Sequence, residues 1–249
     1  MTSKYLGPIK RLGGIAIILF VFAFLFSVVG NAVFSEETRK GVFINAIPFI
    51  SAFIGGLLLF ILVIVLVAKR YNGKVPARCH SAIERTLVIG ILFGVFFLFQ
   101  PFSIVPYRYG FLLLLIATLS FILWSHVVPA GARLTFGLPP LGTRQHIVGA
   151  VAALVVIVVM SLGIISFNAP KEPYGIRDRV WNSYSADRKA ETAAAATADF
   201  SGVEIPFIII LSLFPAAIVY FAAREVTAEP RREDFVSTIP TTGHAPLEA

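Results

Sequence analysis

The residues able to do chemistry in this chain are few and poorly spaced for it. His126 and His146 flank one loop, and two facing imidazoles would bind haem or a metal. They stand at the ends of apolar runs, however, and read more simply as interfacial histidines on either side of a connection. Cys79-His80 supplies half of a c-type haem attachment motif, but the first cysteine is missing because position 76 is Pro76. Cys79 is also the only cysteine, which excludes an intrachain disulfide and any Cys-built metal or Fe–S site.

Glu84, Arg85, Arg108 and Glu204 lie at or near the ends of apolar runs, within reach of water. Arg133 and Arg144 with the two histidines form one polar cluster, and it has no carboxylate. No phosphate-binding Gly loop, GxSxG, HExxH or dinucleotide fingerprint occurs. No catalytic residue, metal site or cofactor is therefore assigned, and the chain is expected not to be an enzyme.

The elements that would carry such residues are long and apolar. Phe43 to Ala68 holds 26 residues without a charge and ends on Lys69-Arg70. A helix of that length rises about 39 Å, enough to cross a hydrocarbon core of roughly 30 Å with tilt. Five further runs bring the expected helices to 12–34, 43–68, 83–99, 107–128, 146–167 and 203–223. The first could pass for a signal peptide, but it exceeds the usual apolar core of one and is read as an uncleaved helix. The fold class is thus all-α, a polytopic integral membrane protein with a bundle of six transmembrane helices spanning 1–224. A connection at 168–202 and a polar tail at 225–249 complete it. Only 14% of residues are charged, against about 25% in soluble domains.

Charge asymmetry orients the helices. With the N-terminus in the cytoplasm, the short cytoplasmic segments carry thirteen Lys and Arg, and the short outer loops carry three: Arg39, Lys40 and Arg108. The connection at 168–202 lies outside and balances five cations with five acids. Both termini are then cytoplasmic, in a cytoplasmic (inner) membrane. The net charge of +7 flanks apolar runs instead of forming a basic face, so no nucleic-acid partner is expected.

The middles of all six runs contain no Asp, Glu, Lys, Arg or His. Proton-coupled carriers and ion pumps place such groups there, so their absence argues against those classes. Packing residues are easier to find. Gly90 and Gly94 form a GxxxG pattern, and Gly55-Gly56 interrupt the second run. Such small residues let helices approach, within this bundle or against another subunit. In the outer segment Tyr174, Trp181 and Tyr184 alternate with Arg177 and Arg179, the residue types that anchor protein interfaces. Aromatics resting on the membrane surface are the equal alternative.

These features favour a non-catalytic integral subunit of a multi-subunit membrane complex. Its partners would be the lipid bilayer, other integral membrane subunits and an extracytoplasmic subunit reached through 168–202. Energy-transducing electron-transfer assemblies, such as quinol-oxidising respiratory or photosynthetic complexes, often carry such subunits. The alternative is a permease subunit for an uncharged or lipid-like solute, including the transmembrane half of an ATP-driven exporter.

Overall fold

The computed structural model describes residues 3–35, 41–101, 104–130 and 141–228. The charged turn with Arg39 and Lys40, the loop with Arg133 and the tail beyond Ala228 lie outside the described residues. Among the described residues there is no strand. Six helices are long and apolar enough to cross a membrane, which supports a multi-pass membrane protein. The chain divides into two compact units, Met1–Lys74 with Ser125–Val128, and Val75–Trp124 with Pro129–Ala249.

The first unit is a helical hairpin. Helix α1 (Ser3–Pro8) runs through a π turn (Ile9–Gly13) into α2 (Gly14–Val33), and α3 (Val42–Tyr71) returns beside it. Ala16, Ala23 and Gly30, all buried and seven residues apart, make a small-residue stripe on α2. Gly55 of α3 lies against this stripe. A Cβ on Gly55 would stand 3.2 Å from the Phe20 ring and 3.4 Å from the Ala16 carbonyl oxygen. Close backbone approach holds two helices together where lipid removes the hydrophobic drive. Gly56, about 100° further round the helix, would meet no described atom within 4 Å. Past α3, the Gly73 N–H donates to the Val128 carbonyl at 2.9 Å, and the Val128 N–H donates to Asn72 Oδ1 at 2.9 Å.

The second unit is built on α9 (Ile205–Val226), which packs on α4 (Ala77–Leu98) and on α6 (Thr143–Asn168). Both neighbours run antiparallel to it: Gly90 faces Phe214 while Cys79 faces Phe221, and Gly149 faces Tyr220 while Ser161 faces Ser212. Helix α5 (Ile104–Ser125) closes on α4 through Gly94, where a Cβ would stand 2.7 Å from the Leu114 backbone nitrogen. Gly110 makes the reciprocal approach, with Phe97 Cβ at 2.5 Å from the position its own Cβ would take.

Three expected boundaries shift. The third span begins at Ala77, six residues before the expected start. Arg78, Cys79 and His80 look like loop residues, yet Arg78 is neutralised by Glu225, and Cys79, Ile83 and Leu87 form a buried stripe at helical spacing. The fourth span begins at Ile104 and ends at Ser125, because Pro106 sits within its first turn, where a missing N–H costs nothing. The connection at 168–202 is largely helical: α7 (Asp178–Asn182) and α8 (Ala186–Asp199) precede a π turn (Phe200–Glu204) into α9. Pro206 has no N–H to offer the carbonyl of Gly202, and a widened turn at that point accommodates it.

Candidate functional site

The second unit carries all the polar structure of note, arranged at the two ends of α9. At the Ile205 end, Arg108 Nη2 lies 2.6 Å from Glu204 Oε2 and donates to Tyr109 Oη at 2.9 Å. The Tyr109 hydroxyl in turn donates to Glu204 at 3.2 Å. Beneath this cluster Val105, Tyr109, Phe200 and Ile208 make a small buried core. Arg108 is nearly half exposed, so water screens this pair.

At the Val226 end the pairing is tighter. Arg78 donates from Nε and Nη2 to the Glu225 carboxylate at 2.8–3.1 Å, and Glu225 is only 7% exposed. A bidentate guanidinium–carboxylate pair fixes direction as well as charge. Nearby, Cys79 Sγ lies 3.5 Å from the Phe221 carbonyl oxygen. His80 stacks on Trp124, whose Nε1 donates to the His80 carbonyl. His146 Nδ1 is 2.6 Å from the Tyr220 hydroxyl.

Two cavities adjoin along α4. An apolar one of about 330 Å³ lies between α4, α5 and α9, walled by Phe93, Phe97, Leu113, Phe207 and Phe214. A second, of about 760 Å³, opens beside Arg78, Ser81, Arg85 and Arg224. Thr86 and Ile89 line both. The Nε of Arg224 is buried with no hydrogen-bond partner among the described residues, while its guanidinium sits 4.7 Å over the Phe221 ring.

The segment outside the spans folds into a cap. Tyr174, with a left-handed backbone (φ 56°), and Gly175 (φ 77°) turn the chain so that the Tyr174 ring meets Trp181 edge-on at 5.5 Å. Tyr184 approaches Trp181 from another direction, and Lys189 of α8 lies 5.5 Å over the indole. Arg188 covers Tyr184 at 4.7 Å. Ser185 caps α8 by accepting from the Arg188 N–H. Trp181 is 7% exposed and the two tyrosines are half-buried, so the aromatics pack the cap itself. Arg177 and Arg179 remain exposed.

Of the four glycines picked from the sequence, Gly55, Gly90 and Gly94 meet neighbouring helices of their own unit, and Gly56 meets none among the described residues. Sequence reading missed Glu225, assigned to the tail but standing within α9, and the Ser161–Ser212 hydrogen bond of 3.1 Å between α6 and α9. It also missed Gly110 and Gly149, lone small residues with no pattern to mark them. Among the described residues no three His, Cys, Asp or Glu side chains converge as a metal site would need. Comparison of the chain with protein-family profiles, with curated proteins and with solved structures finds no match.

Proposed function

We propose that this chain is a non-catalytic integral subunit of a multi-subunit membrane complex, set in the cytoplasmic membrane with both termini in the cytoplasm and the cap outside. The assembly we favour is an energy-transducing one, such as a quinol-oxidising respiratory or photosynthetic complex. Helix middles free of ionisable groups support a packing role over ion or proton movement.

The observation that carries the reading is α8. Its fourteen residues continue into α9 and add about 21 Å of helix beyond the span, yet none of them is buried. Its Ala-rich sequence has high helix propensity. Here it is anchored by the cap at one end and α9 at the other. The arrangement offers an exposed helical face with Arg177 and Arg179 beside it. Such a face suits a second subunit of the same assembly.

A photo-crosslinking residue placed at Arg179 or Ala195 in native membranes tests this. The reading predicts adducts with one other subunit from both positions. Adducts to lipid alone would contradict it.

A further inference from the structure

The two adjoining cavities on α4 have the layout of a phospholipid. We propose that they bind an anionic phospholipid, its phosphate beside Arg78, Arg85 and Arg224 and one acyl chain running past Ile89 into the apolar cavity. Charge sets the headgroup class. Three arginines line the outer cavity, and among the described residues Glu225 pairs with Arg78 alone. A zwitterionic headgroup would leave the excess positive charge unanswered, whereas an anionic one meets it. The Arg224 guanidinium, 4.7 Å over the Phe221 ring, is held in place at the wall of this cavity.

Shape sets the rest of the ligand. Thr86 and Ile89, three residues apart on one face of α4, line both cavities, and the proposed acyl path runs past them. The Thr86 hydroxyl donates to the Ala82 carbonyl, leaving its methyl and the Ile89 side chain to form the passage. Phe93 and Phe97 continue the apolar wall toward Tyr109. A soluble phosphate has no use for this second compartment; an acyl chain does. The site does not depend on the assembly proposed above, and a lone monomer would carry it equally.

Native mass spectrometry of the full chain, delipidated in detergent and titrated with phosphatidylglycerol, phosphatidylcholine or glycerol 1-phosphate, tests the proposal. Phosphatidylglycerol should bind tightest. Removing one lining cation should weaken it about fivefold, and Arg85→Gln with Arg224→Gln together roughly 25-fold. Neither substitution touches the Arg78–Glu225 pair, and thermal unfolding confirms that the variants fold. Ile89→Trp, which fills the passage, should weaken phosphatidylglycerol and leave glycerol 1-phosphate unchanged. Equal binding of phosphatidylcholine overturns the charge assignment. Glycerol 1-phosphate binding as tightly as phosphatidylglycerol, with no response to Ile89→Trp, makes the site one for a soluble anion and overturns the lipid.

Discussion

Glu204 and Glu225 stand roughly 32 Å apart along one helical run, and each is held by an arginine from a different helix. That separation matches a hydrocarbon core of about 30 Å. Arg108 and Arg78 therefore tie the two ends of this run to α5 and to α4. Between them α9 offers its neighbours apolar side chains, small residues and Ser212, with Tyr220 and Arg224 near the Glu225 end.

The two pairs should differ in strength. Glu225 is almost fully buried, so Glu225→Gln leaves a guanidinium without its counter-charge and should cost about 3 kcal/mol in detergent unfolding. Glu204→Gln leaves behind an arginine that is itself nearly half exposed and screened by water, and should cost less than about 1 kcal/mol. Replacing Arg78 and Glu225 together with Met should recover most of the first loss. Equal effects at the two ends would refute the difference in burial.

Helix approach at glycine gives a second test. At Gly94 a new Cβ meets the Leu114 backbone, which cannot rotate aside, so Gly94→Ala should cost about 2–3 kcal/mol. Gly56→Ala meets nothing described and should be neutral or slightly stabilising, because Ala is the better helix former. Thermal unfolding of both variants in one detergent decides the matter.

The cap should open without the spans. Trp181→Ala removes the ring on which Tyr174, Tyr184 and Lys189 rest, a loss of about 3 kcal/mol confined to residues 169–185. Limited proteolysis should then cut that stretch while the apolar helices stay protected. Cleavage within the spans at the same protease level would show that the cap is not a separate cooperative unit.

Orientation can be read with single cysteines in a Cys79→Ser background. An impermeant maleimide should label Ser183→Cys in the exposed cap on intact cells, and Lys74→Cys only after permeabilisation. The opposite pattern would invert the proposed topology.

How much of this was legible beforehand follows from what hydropathy registers. It records apolar length, so six spans were visible. It does not record neighbours. The start of α4 was misplaced because Arg78 looks like a loop residue until Glu225, 147 positions away, neutralises it. The division into units with two and four of the candidate spans was hidden for the same reason, since only contacts reveal it. Gly90 and Gly94 announced themselves by spacing, while Gly110 and Gly149, equally close to their neighbours, had no second glycine to mark them. In the connection at 168–202, residue types pointed equally to an interface and to the membrane surface, and neither reading foresaw that Trp181 packs against Tyr174 and Tyr184. The lining of the basic cavity came from two distant stretches, Arg78–Arg85 and Arg224, each of which reads alone as a positive flank.

The central claim is that this chain works within a larger membrane assembly. Extraction of native membranes in mild detergent, native-gel separation and mass spectrometry of the band test it most directly. The account predicts migration in a large species with stoichiometric redox or pigment-bearing membrane subunits. Migration as a lone stable monomer, or with only a nucleotide-binding chain, would contradict it and favour a permease.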